Sequence, residues 1–206
     1  MEEPLWSMRL RHPDKPVRLY PKNLAPLDAQ HKYVAQEKMD GFRLQIIRRK
    51  SDDWTFLSRQ LTKTIKLSTQ MENEIKNLPI PEWTWLDSEW CTKRKAYRGP
   101  EMVTIFAATA WEGQLLNLCG EADRIKPILS LGLTDEWCHS PLRRARLIYT
   151  GFEEFFKETQ EHWETEGIVL KHLDKPLTLS RKTCVDNPAH IKVKWRDGND
   201  GMTIVV

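Results

Sequence analysis

The segment Glu37-Lys38-Met39-Asp40-Gly41-Phe42-Arg43 places a lysine at the end of one predicted strand and an arginine at the start of the next. A glycine in the turn would let the strands approach closely and direct both cations at one place. Lys38 is therefore a candidate nucleophile, although a lysine amine is mostly protonated at neutral pH and must lose a proton to react. Lys192 and Lys194 alternate along a late strand, share one face, and are the neighbouring cations that would favour this loss.

Three further segments carry charged residues within or at the ends of predicted strands. Leu86-Asp87-Ser88-Glu89 ends an apolar strand with two acids, and Glu166-Gly167-Ile168-Val169-Leu170-Lys171 begins with an acid and ends with a base. Ile191-Lys192-Val193-Lys194 completes the set. The sequence contains neither G-x-x-x-x-G-K-[ST] nor a G-x-G-x-x-G after a strand, so any bound nucleotide must have its phosphates held by side chains.

Composition indicates a globular protein. The 206 residues include 32 Lys and Arg and 29 Asp and Glu, and 40% are hydrophobic. This length allows one domain, or one domain with a small appendage. Because the chain has no long apolar run and no signal-peptide pattern at its start, we expect an intracellular protein without a membrane span. The cysteines form no C-x-x-C pair, so neither structural zinc nor a disulfide framework is expected (Cys91, Cys119, Cys138, Cys184).

The basic residues are clustered, although the net charge is only +3. Each cluster alone is typical of a solvated face, but four of them in an aromatic-rich chain make nucleic acid a serious candidate partner. The clusters are Arg48, Arg49, Lys50; Lys93, Arg94, Lys95, Arg98; Arg143, Arg144, Arg146; and Lys192, Lys194, Arg196.

Hydrophobic periodicity predicts more strands than helices, with no regular alternation between them. Residues 1–30 hold five of the twelve prolines and are expected to form an irregular lead-in. Period-two patterns predict an antiparallel meander of three strands from residue 33 to 58, turning first at Asp40-Gly41. Further strands are predicted at 83–90, 101–110, 145–150, 167–172, 190–195 and 202–206, and helices at 67–78, 121–131 and 152–163. We therefore expect an α+β fold with antiparallel sheets and helices packed outside.

In order and separation, the four charged motifs resemble the covalent nucleotidyltransferases, most closely the adenylation domain of ATP-dependent DNA ligases. The resemblance covers about residues 19–206. It implies the nucleotidyltransferase fold of DNA ligases and mRNA capping enzymes, which is ATP-grasp-like, with the adenylation domain at 31–196. Residues 197–206 resemble the hinge and first strand of an oligonucleotide-binding (OB) barrel that is otherwise missing, so the chain is expected to lack a complete OB domain. Whether it is a fragment or a minimal natural form stays open.

The resemblance implies a role for each basic residue. Lys38 matches the lysine that attacks the α-phosphate of ATP and holds AMP through a phosphoramidate bond. Arg43 matches the arginine that contacts the ribose or the nick phosphate, and Arg59 matches one that helps bind the acceptor 5′-phosphate. The remaining lysines would neutralise or line the phosphate region (Lys171, Lys192, Lys194).

The resemblance also implies a metal pair and an adenine pocket. Glu89 and Glu166 match acids associated with the ribose hydroxyl or with Mg²⁺ or Mn²⁺. Phe106 occupies the position of an aromatic that stacks on adenine, although a strand Phe is a core residue about as often. Gln36 stands where an acid often accepts from the adenine amino group, and Ala107 stands where an Asp often follows the aromatic.

The implied function is nick sealing in double-stranded DNA by an ATP-dependent, monomeric ligase acting in repair, replication or recombination. RNA or an RNA/DNA hybrid is an alternative substrate, because the Glu166 and Lys192 motifs suit RNA ligases almost as well. Capping guanylyltransferases share the Lys38 motif but would use GTP, and a non-catalytic nucleic-acid-binding remnant is a further alternative. The basic loop 93–98 and the cluster 143–146 are the expected duplex contacts.

Overall fold

The computed structural model describes residues 2–8, 10–11, 14–92, 99–136, 140–180, 183 and 185–195. The predicted hinge at 197–206, the basic loop 93–98 and Cys138 lie outside these residues. The strands are β1 (Lys15–Leu19), β2 (Tyr33–Met39), β3 (Phe42–Arg48), β4 (Trp54–Ser58), β5 (Thr84–Cys91), β6 (Met102–Trp111), β7 (Gln114–Leu115), β8 (Leu142–Arg144), β9 (Thr165–His172) and β10 (Asp186–Lys194). The α-helices are α1 (Leu5–Met8), α2 (Leu24–Asp28), α3 (Thr69–Lys76), α4 (Glu121–Leu129) and α5 (Phe152–Glu158).

The strands form two sheets. The four-stranded sheet has the order β1-β10-β9-β2, and the six-stranded sheet has the order β4-β3-β5-β6-β7 with β8 beside β6. All pairings are antiparallel except β1 with β10 and β6 with β8. The predicted α+β class with antiparallel sheets is confirmed.

Asp40 and Gly41 carry the chain from one sheet to the other. Strand β2 pairs with β9, whereas β3 pairs with β4 and β5, so the predicted three-stranded meander is wrong for its first strand. Periodicity identifies strands, but the pairing partner is decided by contacts distant in sequence. Gly41 passes so close to β5 that an added Cβ would lie 2.6 Å from the carbonyl oxygen of Trp90.

The start of the chain is more regular than its prolines suggest. Within the described part of residues 1–30, β1 joins the four-stranded sheet through parallel pairing with β10. At the other boundaries, the predicted strand 145–150 is wrong, because β8 ends at Arg144 and Ile148 forms only an isolated bridge with Ala35. Strand β8 forms instead where Leu142 faces Val103 of β6.

The three predicted helices are present with shorter limits. The hydroxyl of Ser68 caps α3 by accepting from the backbone N–H of Met71, which fixes its start. Leu129 and Trp163, which helical periodicity over 121–131 and 152–163 would place on the core-facing sides, are 49% and 40% exposed. Trp163 lies beyond the end of α5, where the helical period no longer applies, and Leu129 is the last residue of α4.

Each sheet packs its own apolar core. The larger cluster joins the six-stranded sheet to α3 and includes Leu44, Leu86 and Ile75. The smaller cluster joins the four-stranded sheet to α5 and includes Ile168 and Phe152. Within the described part of the chain, no helix is long and apolar enough to cross a membrane.

Candidate active site

A cavity of about 350 Å³ lies between the two sheets. Strands β2, β9 and β10 supply one wall, and β3, β5 and β6 supply the other. All ten residues singled out from the sequence line this cavity, although they span 159 positions from the first to the last. They are Gln36, Lys38, Arg43, Arg59, Glu89, Phe106, Glu166, Lys171, Lys192 and Lys194. The fold therefore brings together the predicted set, while the role of each residue stays a prediction.

Gly167 lies between two of the lysines. It is the cross-strand partner of Lys38 on β2 and of Lys194 on β10. Its φ of +140° is a conformation that residues with a side chain rarely adopt, and an added Cβ would lie 2.0 Å from the carbonyl oxygen of Val193. A glycine is thus required for the close approach that holds the two lysine-bearing strands on either side of β9.

Glu166 bridges the same two lysines. One carboxylate oxygen accepts from Lys38 Nζ, and the other accepts from Lys194 Nζ at 2.7 Å. Burial alone would raise the pKa of Glu166, but the Lys38 charge and the hydrogen bonds from both lysines outweigh it and place the pKa below its ordinary value. The candidate nucleophile is therefore held beside an anion and a second cation.

Lys192 is the third lysine in this part of the cavity. Its pKa is lowered by partial burial and by the charges of Lys38 and Lys194. Three lysines thus lie close enough to influence one another, and the Glu166 carboxylate is hydrogen-bonded to two of them. Such a site has an unmet need for negative charge, which a nucleotide phosphate would supply.

Arg43 is anchored within the protein. Its guanidinium donates two hydrogen bonds of 2.7 Å to the carboxylate of Asp87 and one of 2.6 Å to the carbonyl oxygen of Asp14. Burial would lower the pKa of Arg43, but Asp87 raises it above its ordinary value, and Arg43 in turn lowers the pKa of Asp87 against the effect of burial. Asp87 and Glu89 share a face of β5. Their i, i+2 spacing is the sequence feature that could have identified Asp87 as a further cavity residue beside Glu89.

Unlike Asp87, Glu89 forms no ion pair with an arginine among the described residues. Its carboxylate accepts from the backbone N–H of Gly41 at 3.1 Å. Burial together with the negative charges of Glu166 and Asp87 raises the pKa of Glu89 to about 7, despite the opposing charges of Lys38 and Arg43. A cation brought in by a ligand would favour the charged carboxylate here.

Gln36 and Phe106 meet in the lining of the cavity, from opposite walls. The amide nitrogen of Gln36 donates to the carbonyl oxygen of Phe106 at 3.1 Å, which fixes the amide orientation. The amide oxygen of Gln36 is buried and accepts no hydrogen bond from the residues that the structure describes. Lys171 Nζ lies 5.5 Å from the centre of the Phe106 ring. A buried acceptor beside an aromatic ring suits a heterocycle that carries an amino group.

A buried ionic network behind the cavity was not predicted. Lys171 Nζ donates to Glu121 at 2.7 Å, and Arg124 donates to the other oxygen of Glu121 at 2.8 Å. His190 lies 3.3 Å from the Asp14 carboxylate. Glu121 begins α4, where an acid is expected from the helix dipole alone, so the sequence carried no signal for its burial.

The cluster 143–146 is only partly available for the expected duplex contact. The Arg143 side chain is fully buried and pairs with Glu37, and Arg146 pairs with Glu158. Spacing suggested a solvated basic face, but acidic partners more than ten residues away in sequence neutralise these two arginines. The expectation is therefore wrong for Arg143, which has no surface to offer.

The structure resembles solved polynucleotide ligases. The ligase domain of Mycobacterium tuberculosis LigD gives a TM-score of 0.65 at 16% identity, covering 89% of this chain and 59% of that chain. The ATP-dependent DNA ligase of bacteriophage T7, in complex with ATP, gives 0.53 at 16% identity, with coverage of 90% and 69%. An archaeal ATP-dependent RNA ligase gives 0.56 at 16% identity, with coverage of 90% and 48%.

These likenesses define the fold. The chain has the nucleotidyltransferase fold of the adenylation domains of ATP-dependent DNA ligases, as the motifs implied. It spans 59% and 61% of the two mycobacterial ligase chains that it matches. No protein-family model matches the sequence, and no curated protein matches it.

Proposed function

We propose that this chain is the adenylation domain of an ATP-dependent polynucleotide ligase that seals nicks in DNA. The observation that carries the proposal is the bridge from Lys38 through Glu166 to Lys194, in a cavity that also presents the amide oxygen of Gln36, which has no hydrogen-bond partner among the described residues. The fold likeness supports the same class, since the similar structures include ligases solved with ATP.

The proposed first step joins AMP to Lys38. The lone pair of the deprotonated Nζ attacks the α-phosphorus, the nitrogen–phosphorus bond forms, and the bond to the pyrophosphate oxygen breaks. The proton leaves Nζ through Glu166, its hydrogen-bond acceptor, and passes to solvent. Lys192 and Lys194 stabilise the negative charge that develops on the phosphate oxygens.

Two further steps would complete sealing. A 5′-phosphate at the nick attacks the phosphorus of lysyl-AMP and releases Lys38, and the 3′-hydroxyl then attacks the activated phosphate and releases AMP. Arg59 lines the cavity and is our candidate for holding the acceptor phosphate, because a guanidinium binds phosphate oxygens in pairs. Arg43 would contact the nucleotide from the position that Asp87 fixes.

The amide oxygen of Gln36 would favour binding of ATP over GTP. Adenine carries an amino donor where guanine carries a carbonyl acceptor. The free oxygen of Gln36 can accept from the adenine amino group but would face the guanine oxygen with a second acceptor. This contact distinguishes the proposed ligase from a capping guanylyltransferase.

The carboxylates suit a metal that arrives with the nucleotide. In the described part of the chain, no group of three or more His, Cys, Asp or Glu side chains could hold a metal ion. Mg²⁺ usually takes one or two protein carboxylates and completes its shell with phosphates and waters, so Glu89 and Glu166 fit this pattern. When bound, Mg²⁺ or Mn²⁺ would neutralise phosphate charge.

We also propose that residues 31–196 form the adenylation domain, and that the protein is monomeric and intracellular. DNA is preferred because the terminal segment resembles the hinge of DNA ligases. The likeness to an archaeal RNA ligase is the observation that favours RNA as the second candidate substrate.

Sealing assays test the function. The protein is incubated with nicked DNA, nicked RNA and a nicked hybrid, with ATP or GTP, and Lys38→Arg serves as the control that keeps the charge but removes the nucleophile. We expect sealing of DNA with ATP, none with GTP, and loss of sealing in Lys38→Arg. Preferential sealing of RNA would support the second candidate, and nucleic-acid binding without sealing, even of a pre-adenylylated nick, would indicate a non-catalytic remnant.

A further inference from the structure

The side chains of Glu37 and Met39, the two neighbours of Lys38 along β2, both contact the buried guanidinium of Arg143. Along β2, Gln36 and Lys38 share one face, and Glu37 and Met39 occupy the other. The Glu37 carboxylate is fully buried, accepts from Arg143 at 3.1 Å and accepts from the backbone N–H of Arg146 at 2.9 Å. Both carboxylate oxygens of Glu37, the residue before the candidate nucleophile, therefore accept hydrogen bonds.

Arg143 contacts both neighbours of the lysine. Besides Glu37, its guanidinium lies 3.5 Å from the sulfur of Met39. The nitrogen that donates to Glu37 also lies 3.4 Å and 3.5 Å from the carbonyl oxygens of Asp135 and Arg144, which further restrain the guanidinium. Arg143 belongs to β8 in the six-stranded sheet, whereas Glu37 and Met39 belong to the four-stranded sheet. One side chain therefore ties the segment around Lys38 to the opposite wall of the cavity.

Strand β2 needs this support at this point. It is an edge strand among the described strands, paired with β9 on one side and with only the Ala35–Ile148 bridge on the other. The register of its pairing with β9 shifts between Lys38 and Met39. The ladder is thus interrupted immediately after the candidate nucleophile, where Arg143 is bound.

We propose that Arg143 is a positioning residue for Lys38, acting through Glu37 and Met39. The inference rests on the proposed function. A displacement of a reacting atom by about 1 Å can cost about a hundredfold in rate. The effect falls on steps in which Lys38 forms or breaks a bond, which are the formation of lysyl-AMP and the transfer of AMP. Sealing of a pre-adenylylated nick forms no bond to Lys38.

The test compares these steps in Arg143→Lys, which keeps the charge but loses the two-sided fork. The control is Glu158→Gln, which removes the charge from the Arg146–Glu158 pair next to the Glu37–Arg143 contact. At saturating ATP we expect Arg143→Lys to form lysyl-AMP about tenfold or more slowly, with KM for ATP changed by less than about twofold. Sealing of a pre-adenylylated nick should stay within about threefold of wild type, and Glu158→Gln should match wild type in both assays.

A proportional loss in both steps, or no loss in either, would overturn the proposal. If Arg143→Lys does not fold, Glu37→Gln provides the same comparison from the other partner. Amide hydrogen exchange of residues 36–40 gives a readout independent of ATP: we expect faster exchange there in Arg143→Lys and not in Glu158→Gln. Unchanged exchange would overturn the structural step, whereas a wild-type protein that forms no adduct would refute the proposed function itself.

Discussion

Replacing Gly167 with alanine tests whether the spacing of the lysine-bearing strands determines activity. The new Cβ would lie 2.0 Å from the carbonyl oxygen of Val193 and 2.8 Å from the Cα of Lys194. Because a carbon–oxygen contact needs about 3 Å or more, β9 and β10 must separate locally by about 1 Å. Lys194 then moves away from Glu166 and Lys38 by a similar distance.

This shift gives an expected magnitude. A displacement of about 1 Å near the reacting atoms predicts a loss of about a hundredfold in the rate of lysyl-AMP formation. The left-handed backbone costs about 1–2 kcal/mol for alanine, and overpacking adds about 1–3 kcal/mol, so the free energy of unfolding should fall by about 2–5 kcal/mol. Single-turnover adenylation and urea unfolding measure the two effects.

Gly132→Ala is the matched control. Gly132 also has a positive φ, +68°, but an added Cβ would meet nothing within 4 Å. It should lose about 1–2 kcal/mol of stability and keep the wild-type adenylation rate. If Gly167→Ala folds and adenylates at the wild-type rate, the close approach of β9 and β10 does not set the geometry of the site.

Three other predictions follow from the charges. Lys194→Ala should slow lysyl-AMP formation by about 10²–10³-fold, since one donor to the developing phosphate charge is lost; a wild-type rate in single-turnover assays would remove Lys194 from this role. Asp87→Asn leaves the Arg43 charge buried without its partner and should cost about 3–5 kcal/mol in urea unfolding at pH 5–8. Because the folded-state pKa of Asp87 is lowered, its contribution is present above a pH of about 4 and is lost on further acidification, so the difference between wild type and Asp87→Asn should shrink there. Binding of nicked duplex, followed by fluorescence anisotropy, should weaken at least about tenfold between about 50 and 200 mM salt, and a flat response would exclude the basic clusters from the interface.

Local patterning made some of the cavity residues predictable, whereas Gln36, Arg59 and Phe106 followed only from the family resemblance. Lys192 and Lys194 alternate with apolar residues in one strand, and Glu166 and Lys171 lie near the two ends of another. Period-two patterning therefore predicted both strands and the face on which each side chain lies. The Asp40-Gly41 crossing was not predictable in the same way, because the choice between a hairpin and a passage to another sheet depends on where β9 lies. A glycine between two strands is compatible both with a hairpin and with a crossing from one sheet to the other.

Buried polar contacts between residues far apart in sequence explain the remaining differences. Arg143 and Glu37 are 106 residues apart, and nothing local distinguishes a neutralised buried arginine from a solvated one. The same holds for Asp14, whose carboxylate accepts from Asn187 across 173 residues. Such pairs become visible only when the sheets are assembled, and here they support the walls of the cavity.

Intact-mass analysis followed by peptide mapping is the most direct test of the central claim. The protein is incubated with ATP and Mg²⁺, in parallel with Lys38→Arg, and digested under conditions that preserve a phosphoramidate. We predict a gain of one AMP, about 329 Da, on Lys38 in wild type and no gain in Lys38→Arg. An AMP on any other residue, an adduct that persists in Lys38→Arg, or an unmodified wild-type protein would contradict the assignment of Lys38 as the nucleophile.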